Sequence, residues 1–291
     1  MAKILTIIVS YNFEPWIHRC LPSLLASSHQ TDILVIDNNS RDNTKYIIKE
    51  TYPTVRLIES TENLGFGKAN NLGLAIALEE GYDYAFLVNQ DAWIDQNCIA
   101  RLIEVNTANI GIISPIHYDG TGEKLDHGFS IYTQNARLEN SYRTCSFVNA
   151  AFWLIPKSVI KKVGGFSPIF FHYGEDKDYT NRIHYYGLHI VLADGAKAYH
   201  DRQQRQVDRK AFLKSEFVYH LTEYCNINYT FKKAFSMAIL ASVKKMLVSL
   251  SKGRIFETRN YFAIAFRLLG KTGEVRHTRK ANKKASNKIF S

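Results

Sequence analysis

Acidic side chains stand where three segments of the chain end or begin. Asp37 follows the apolar run "ILVI", Asp91 follows "AFLVNQ", and Glu175, Asp176 and Asp178 crowd the start of a helical pattern. Carboxylate oxygens suit Mg²⁺ or Mn²⁺, and a carboxylate can also act as a general base. Helix capping and attraction to a helix dipole are the ordinary alternatives. Because the last three carboxylates repel one another, we expect one of them to have a raised pKa.

A predicted alternation of strands and helices positions these acids. Short apolar runs predict strands at 3–10, 31–40, 54–60, 82–90 and 110–116, and helical periodicity predicts helices at 16–26, 68–80 and 96–105. Apolar strands that alternate with helices favour a mostly parallel sheet covered on both faces, with ligands beyond the carboxyl ends of the strands. Asp91 is therefore expected at the ligand-binding edge.

The alternation lapses between residues 117 and 155. We interpret 124–134 and 143–155 as strands of a less regular subdomain, followed by helices at 156–162 and 175–186 and by strands at 188–194 and 196–200. Beyond residue 207 the pattern is helical to about 270, and the last twenty residues, which are polar and basic, are expected to fray.

Five short stretches carry a resemblance when they are taken in order: "VSYN" (9–12), "VIDNNSRDNT" (35–44), "NLGFGKANN" (63–71), "VNQD" (88–91) and "HYGEDKDY" (172–179). Their order and spacing resemble the family 2 inverting glycosyltransferases, and most of all the bacterial rhamnosyltransferase-like subgroup. The resemblance covers roughly residues 3–200. It implies the GT-A fold, an α/β, Rossmann-like nucleotide-diphospho-sugar transferase fold with a mostly parallel sheet flanked by helices, here followed by a C-terminal helical extension.

The same resemblance implies where the sugar donor binds. Asp37 is expected to accept the imide N–H of the base, and the glycine loop before a helix is expected to favour an anion. For Asn63 and Asn70, fixing this loop is as good an interpretation as contact with the ligand. The implied donor-binding residues are Ser10, Tyr11, Asn12, Asp37, Asn63, Gly65, Asn70, Asn89 and Gln90.

For the chemistry, the resemblance implies a divalent cation, Mg²⁺ or Mn²⁺, on Asp91 and His200. "NQD" has one carboxylate where the family motif has two, so the diphosphate is expected to supply the remaining ligands. Asp176 is expected to act as the general base, and Glu175 to bind the acceptor. Ala150 and Ala151 would leave room for a sugar, and Trp153 is assigned to the core.

Charge divides the chain into two parts. The net charge is +10, but residues 201–291 contain 20 Lys and Arg against six Asp and Glu, so they carry +14 and residues 1–200 carry −4. Basic residues beside apolar residues at helical spacing favour binding of this part to an anionic membrane surface. A helix packed on the body with a solvated basic face is a compatible alternative. We expect a catalytic domain at 1–206 (nucleotide-sugar-binding half 1–116, acceptor half 117–206) and a basic amphipathic extension at 207–291.

No signal peptide is expected, no window reaches the roughly 18 apolar residues of a membrane span, and the four cysteines are expected to be reduced. This predicts a cytoplasmic protein, peripheral on the inner face of the cell membrane. Nucleic-acid binding is disfavoured because the basic tail lacks a recognised motif. Nucleotidyl transfer is disfavoured because "IIVSYN" is no basic phosphate loop.

The favoured function is transfer of a sugar, with dTDP-rhamnose as the best guess for the donor, to a hydroxyl of a glycan or lipid-linked oligosaccharide acceptor in surface-polysaccharide synthesis. A UDP-linked galactofuranose, glucose or N-acetylglucosamine donor stays open. So does an inactive nucleotide- or membrane-binding relative, which the presence of Asp37, Asp91, Asp176 and His200 disfavours.

Overall fold

A computed structural model describes residues 1–139, 142–202 and 209–284. Its strands are β1 Ile4–Ser10, β2 Asp32–Asp37, β3 Arg56–Glu59, β4 Tyr84–Asn89, β5 Ala92–Ile94, β6 Ile110–Asp119, β7 Arg137–Glu139, β8 Tyr142–Cys145, β9 Phe152–Pro156 and β10 His189–His200. Its α-helices are α1 Ile17–Leu25, α2 Thr44–Thr51, α3 Gly65–Glu79, α4 Cys98–Ile103, α5 His127–Thr133, α6 Lys157–Val163, α7 Glu175–Tyr185, α8 Arg209–Cys225, α9 Phe231–Phe235, α10 Ala241–Ser251, α11 Ile255–Gly270 and α12 Thr272–Lys283. A π-helical segment, Ser236–Leu240, joins α9 to α10.

The strands form one sheet in the order β3-β2-β1-β4-β9-β6-β10-β8-β7, with β5 paired to β10. The first four strands are parallel, as predicted, and β10 is parallel to β6. Strand β9, however, runs antiparallel to β4 and β6, and β8 and β5 run antiparallel to β10. The sheet is therefore parallel in its first half and mixed in its second half.

Apolar strands are buried on both faces of the sheet. Leu5 and Ile7 face one core with α3, α6 and α7, whereas Ile4 and Ile8 face a second core with α1 and α4. Trp153 is fully buried in the first core, as predicted. The four cysteines are buried and unpaired, which agrees with the expectation of reduced thiols.

The strand prediction at 124–134 is wrong, because this segment contains helix α5. The Asp126 carboxylate caps that helix by accepting a hydrogen bond from the Phe129 backbone N–H at 2.8 Å. Phe129 lies in the core, and its ring stacks on His117. A capping carboxylate and one buried aromatic side chain outweigh the short alternation of polar and apolar residues that favoured a strand.

The prediction of a frayed C-terminus is also wrong for residues 272–283, which form α12. The buried guanidinium of Arg279 donates to the backbone carbonyls of Tyr224, Asn226 and Tyr229, and these bonds tie α12 to the end of α8 and the loop after it. Asn282 bonds to Ser167 in the catalytic body. Polar side chains therefore order this segment through long-range contacts that helical periodicity does not reveal.

The extension has its own apolar core, in which Leu221, Tyr224, Ala238, Ile264 and Leu268 are buried. The predicted boundary at 206/207 lies outside the described residues. The expectation that no segment is apolar enough to span a membrane needs correction. The 21-residue helix Phe231–Ser251 meets that criterion by length and composition alone, with a mean hydropathy of 1.4.

Candidate active site

The register of β1, β2 and β4 determines which residues lie at the carboxyl edge of these strands. We call it the donor edge, because the sequence predicts donor binding there. Ser10 pairs with Asp37 across β1 and β2, and Val9 pairs with Asn89 across β1 and β4. Three predicted site residues, Ser10, Asp37 and Asn89, therefore reach the same carboxyl edge. This is the placement that the parallel half of the sheet predicts.

The Asp37 carboxylate is fully buried and hydrogen-bonded within the chain. Its oxygens accept from the Ser10 hydroxyl at 3.1 Å, from the Ser40 backbone N–H at 2.9 Å and from the Ser40 hydroxyl. The Ser40 oxygen also accepts from the Asn12 backbone N–H at 2.9 Å. Asp37 thus joins the ends of β1 and β2, and it keeps about one of a carboxylate's four acceptor positions for a further donor.

A reciprocal pair connects this cluster to the end of β4. The Tyr11 backbone N–H donates to Gln90 Oε1 at 2.7 Å, and Gln90 Nε2 donates to the Tyr11 carbonyl at 3.1 Å. The Asn12 side-chain oxygen accepts from the Arg41 N–H at 3.0 Å, and Asn12 has a positive φ of 54°. Tyr11, Asn12 and Gln90 therefore fix the loops after β1, β2 and β4 against one another.

The glycine loop before α3 is held in the same way. Asn63 Oδ1 accepts from the Gly65 N–H at 2.9 Å, and Asn70 Nδ2 donates to the Phe66 carbonyl at 3.0 Å. Gly65 has a φ of 76°, and a Cβ at this position would meet the Phe171 carbonyl oxygen at 2.1 Å. Of the two interpretations of Asn63 and Asn70, the structure provides the contacts for the loop-fixing one.

A cavity of about 490 Å³, which we call the central cavity, opens beyond β4 and β10. Five predicted site residues line it: Asn89, Asp91, Glu175, Asp176 and His200. Ala150 and Ala151 also line it, because the Asn89 N–H donates to the Ala151 carbonyl and brings the start of β9 to the end of β4. The other predicted residues, Ser10, Tyr11, Asn12, Asp37, Asn63, Gly65, Asn70 and Gln90, form the hydrogen-bonded loops described above and are not among the lining residues.

Asp91 and His200 meet because β5 doubles back onto the end of β10, where Ala92 pairs with His200. His200 Nε2 lies 3.2 Å from Asp91 Oδ1 and 3.4 Å from Asn89 Nδ2. On the other side of the ring, Arg202 Nε donates to Nδ1 at 3.3 Å, which leaves the proton of the neutral ring on Nε2, facing Asp91. Asp91 is one-quarter exposed, and His200 is nearly buried.

These two side chains fit a weakly held divalent cation. Neighbouring ligands on an octahedral ion at about 2.1 Å are about 3.0 Å apart, close to the observed 3.2 Å between Asp91 Oδ1 and His200 Nε2. In the described ranges no group of three or more His, Cys, Asp or Glu side chains is placed to hold a metal ion. A cation here would take its remaining ligands from a bound diphosphate and water. His200 would bind it through Nε2 only with its proton on Nδ1, so Nδ1 would no longer accept from Arg202.

Helix α7 contributes the acidic residues Glu175 and Asp176 to the lining of the central cavity. It begins after Gly174, whose φ is 90°, and a Cβ on this glycine would lie 2.7 Å from Val218 of α8. Only glycine combines this backbone conformation with such close packing. The C-terminal extension therefore lies directly against the turn that aims Glu175 and Asp176.

Glu175 and Asp176 are carboxylates with few internal donors. Glu175 is 5% exposed, and its Oε2 has no hydrogen-bond partner within the described chain. Burial, and then the neighbouring Asp176, raises the pKa of Glu175 to about 7. Burial also raises the pKa of Asp176, although the Lys177 N–H donates to its Oδ1 at 2.7 Å. A raised pKa was expected among these acids, but burial outweighs the predicted repulsion.

The third acid of this motif, Asp178, points elsewhere. It is buried, and its Oδ2 accepts from the Ser167 hydroxyl at 2.6 Å and from Arg182 Nε at 3.1 Å. The other nitrogens of the Arg182 guanidinium donate to the carbonyls of Val163 and Gly165. Asp178 therefore neutralises a buried cation and stands apart from the cavity.

The sequence reasoning missed Arg202, which lines the central cavity. Arg202 Nε lies 2.9 Å from Asp126 Oδ2, so one guanidinium links His200 to the cap of α5. A basic residue two positions after His200 is a weak signal, and its partner Asp126 is distant in the chain. The aromatic lining residues Trp16, Phe66, Tyr132 and Tyr173 were not predicted either.

Comparison with known proteins gives one family and several relatives. The family model "Glycosyl transferase family 2" matches residues 6–164, more than half of the chain. The N-acetylglucosaminyl-diphospho-decaprenol L-rhamnosyltransferase of Mycobacterium tuberculosis is 27% identical over 237 residues, which cover 69% of this chain and 77% of that protein.

Two solved structures share the fold at low identity. The crystal structure of S. aureus TarS 1-349 in complex with UDP superposes with a TM-score of 0.57 at 13% identity, covering 99% of this chain and 90% of that one. GalNAc-T7, solved with UDP, GalNAc and Mn²⁺, superposes with a TM-score of 0.62 at 12% identity, covering all of this chain and 56% of that one. With the family match and the geometry of the sheet edge, they place the chain in glycosyl transferase family 2, as a glycosyltransferase with the GT-A fold.

Proposed function

We propose that the protein transfers rhamnose from dTDP-rhamnose, with inversion, to a hydroxyl of a lipid-linked glycan acceptor in surface-polysaccharide synthesis. The observation that carries this proposal is the central cavity, where Asp91 and His200 stand with two carboxylates, Glu175 and Asp176, that have few internal donors. The relative from M. tuberculosis, named as an L-rhamnosyltransferase on N-acetylglucosaminyl-diphospho-decaprenol, supports the choice of sugar and acceptor.

Asp176 acts as the general base in this proposal. It takes the proton of the acceptor hydroxyl while that oxygen attacks the anomeric carbon, and the bond from that carbon to the diphosphate oxygen breaks on the opposite face. Asp176 suits this role because it lines the cavity and is half-buried. Glu175, whose pKa lies near neutrality, hydrogen-bonds the acceptor.

The donor binds along the carboxyl edge of β1, β2 and β4. Asp91 and His200 would hold a divalent cation, which supplies positive charge to the leaving diphosphate when it is bound. Arg202, at the wall of the cavity, donates charge-assisted hydrogen bonds to the same diphosphate. The remaining acceptor position of Asp37 takes the imide N–H of the base, and the loops of Ser10, Tyr11, Asn12, Asn63 and Asn70 hold the surrounding backbone in place.

The extension attaches the enzyme to the inner surface of the membrane. Large apolar side chains are exposed on α10 and α11, among them Leu247, Leu250, Phe262 and Phe266, and Lys252, Arg254 and Arg259 lie near them in the chain. Such a surface suits an anionic bilayer interface. The double change Phe262→Ser and Phe266→Ser is expected to reduce binding to phosphatidylserine vesicles without disturbing the buried core, and binding of the unaltered protein is expected to weaken with added salt.

A thermal-shift panel tests the donor. We expect dTDP-rhamnose with Mn²⁺ to raise the melting temperature more than any UDP-sugar, because a ligand at 100 times its Kd stabilises by about 2.7 kcal/mol. Asp91→Ala is expected to remove the increment that Mn²⁺ adds while the protein stays folded. A larger shift with UDP-galactofuranose, UDP-glucose or UDP-N-acetylglucosamine would replace the rhamnose donor, and the absence of any shift would favour an inactive relative.

A further inference from the structure

A second cavity, which we call the outer cavity, lies between the loop 169–173, α8 and α11. Its volume is about 540 Å³, and its wall is mostly apolar, with Phe171, Leu213, Phe217, Ala263 and Ile264 among the lining residues. A cavity of this volume falls in the range of small-molecule sites. It takes no part in the sugar transfer described above.

Three cations stand at this apolar wall: Lys214, Arg267 and Lys271. Lys271 pairs with Glu274 at 2.5 Å. Within the described part of the chain, neither Lys214 nor Arg267 forms an ion pair with a carboxylate; Lys214 Nζ lies 5.6 Å from the Tyr173 ring, and Arg267 Cζ lies 4.1 Å from the Phe217 ring. An apolar wall with two such cations is complementary to a lipid that carries a phosphate or diphosphate group.

The outer cavity borders the central cavity. His172 and Tyr173 line both, and their rings lie 4.1 Å apart at the shared wall. These residues directly precede Gly174, Glu175 and Asp176. His172 and Tyr173 are thus the residues that a molecule reaching from Asp176 to the outer cavity would have to pass.

An exposed apolar stripe runs along α11 on a face of the helix that is turned away from the outer cavity. Phe266 is 70% exposed and directly precedes Arg267, so it points about 100° away around the helix axis from that cavity residue. Phe262 and Leu269 are exposed on the same stripe. This stripe belongs to the exposed surface proposed above to meet the membrane, and the outer cavity lies on another face of α11.

We propose that the outer cavity binds the polyisoprenyl chain and the diphosphate of a lipid-linked acceptor, an inference that rests on the glycosyl transfer proposed above. Lys214 and Arg267 hold the diphosphate, the apolar wall holds the first isoprene units, and the sugar reaches Asp176 past Tyr173. The outer cavity thereby selects acceptors for their lipid diphosphate and is independent of donor binding.

Calorimetry with farnesyl diphosphate, a soluble polyisoprenyl diphosphate, tests the site without turnover. Ala263→Trp fills the cavity, and we expect it to weaken farnesyl diphosphate binding by at least about tenfold, since several buried methylene groups are displaced. The matched control is Ser215→Trp, which puts the same side chain on an exposed position of α8 outside the cavity, and it is expected to leave the affinity within about twofold.

The double change Lys214→Gln and Arg267→Gln tests the charge, and it keeps the proposal testable if Ala263→Trp does not fold. It is expected to weaken farnesyl diphosphate binding by about tenfold or more and to leave farnesol binding unchanged. Absence of farnesyl diphosphate binding by the unaltered protein, or equal affinity in the cavity variants and the Ser215→Trp control, would overturn the proposal.

A transfer assay separates this proposal from the proposed function. N-acetylglucosamine linked through diphosphate to farnesol is compared with N-acetylglucosamine carrying a methyl aglycone. We expect Ala263→Trp to lower kcat/KM for the first acceptor only. An equal loss for both acceptors, or no loss for either, would overturn the lipid site while transfer itself stands; no transfer to either acceptor by the unaltered enzyme would count against the proposed function, and calorimetry would still decide the lipid site.

Discussion

The two acidic regions of this enzyme differ in what their carboxylates touch. At the donor edge, Asp37 accepts three hydrogen bonds from Ser10 and Ser40. At the start of α7, Glu175 has a buried oxygen without a partner in the described chain, and Asp176 takes one backbone N–H. In the second region, burial raises the pKa of both Glu175 and Asp176.

The difference separates positioning from chemistry. A carboxylate that accepts several hydrogen bonds is stabilised as the anion and holds loops in place, whereas one that is buried with few donors keeps the capacity to take up a proton. The same contrast occurs within α7. Asp178, two residues after Asp176, forms an ion pair with Arg182. The variants below are expected to separate the two kinds of acid.

The largest effect is expected for Asp176→Asn, which keeps the shape of the side chain and removes the base. Transfer should fall by about 10²–10⁴-fold, the usual contribution of a positioned general base. Donor affinity, measured by calorimetry with the nucleotide sugar, should stay within about threefold, because the proposed donor contacts lie on other side chains. Near-normal turnover would mean that another group, with Glu175 the first to test, takes the proton.

Asp178→Asn should affect the stability of the fold and spare the chemistry. It leaves the buried Arg182 guanidinium without its counter-charge, so the free energy of unfolding should fall by about 3 kcal/mol. Urea unfolding measures this loss, and turnover per folded molecule should stay close to that of the unaltered enzyme. If Asp178→Asn and Asp176→Asn lose turnover equally, the distinction between paired and unpaired acids fails.

Glu175→Gln should change the pH dependence of stability. The pKa of Glu175 is raised from 4.5 to about 7 by folding, so the folded state binds more protons than the unfolded state between those values. The stabilisation contributed by protonated Glu175 is therefore fully present below about pH 4.5, and it is lost as the pH rises to about 7. Between pH 5 and pH 8 the unaltered protein should lose about 2 kcal/mol more than the variant in urea unfolding. Parallel stability profiles would show that Glu175 is ionised in the folded protein.

Asp37→Asn tests whether the acid that joins β1 to β2 also contacts the donor. If its remaining acceptor position takes the base, affinity for the nucleoside diphosphate should fall by about 2 kcal/mol, within the range for hydrogen bonds to charged groups. Calorimetry on the folded variant measures this directly. Unchanged affinity would leave Asp37 with its loop-joining contacts alone.

Local patterns predicted the part of the site that lies on the parallel half of the sheet. Asp91 lies beside the central cavity, past the end of β4, where the alternation of apolar strands and helices predicts the ligand-binding edge. The capping of α5 by Asp126 and the ion pair of Asp178 with Arg182, four residues away, also had local signals that the sequence reasoning did not use. The antiparallel direction of β9 and the contact of Arg202 with Asp126 had none, because they join residues far apart in the chain.

The extension shows the same limit. Its basic, apolar helices were predicted, and packing on the body was one of the two interpretations, but its contacts with α7 and the turn before it were not predicted. Gly174 lies against Val218, and Asn228 Nδ2 donates to the Asn181 carbonyl of α7 at 2.7 Å. Such contacts depend on how the chain folds to pack α8 against α7, and local sequence patterns do not show this packing. Because of these contacts, point variants test the role of the extension more specifically than its removal, which would also expose α7.

The smallest effect is expected for Ser10→Ala, which removes one of the three hydrogen bonds to Asp37 and nothing that lines the central cavity. The free energy of unfolding should fall by about 1 kcal/mol, the net value of a typical hydrogen bond. Nucleotide affinity should change by less than about threefold, because the two Ser40 donors still hold the carboxylate in place. Urea unfolding and calorimetry on the same preparation check both values. A loss of affinity as large as that of Asp37→Asn, with stability unchanged, would assign the Ser10 hydroxyl to the nucleotide and would show that the donor edge, too, uses its polar groups on the ligand.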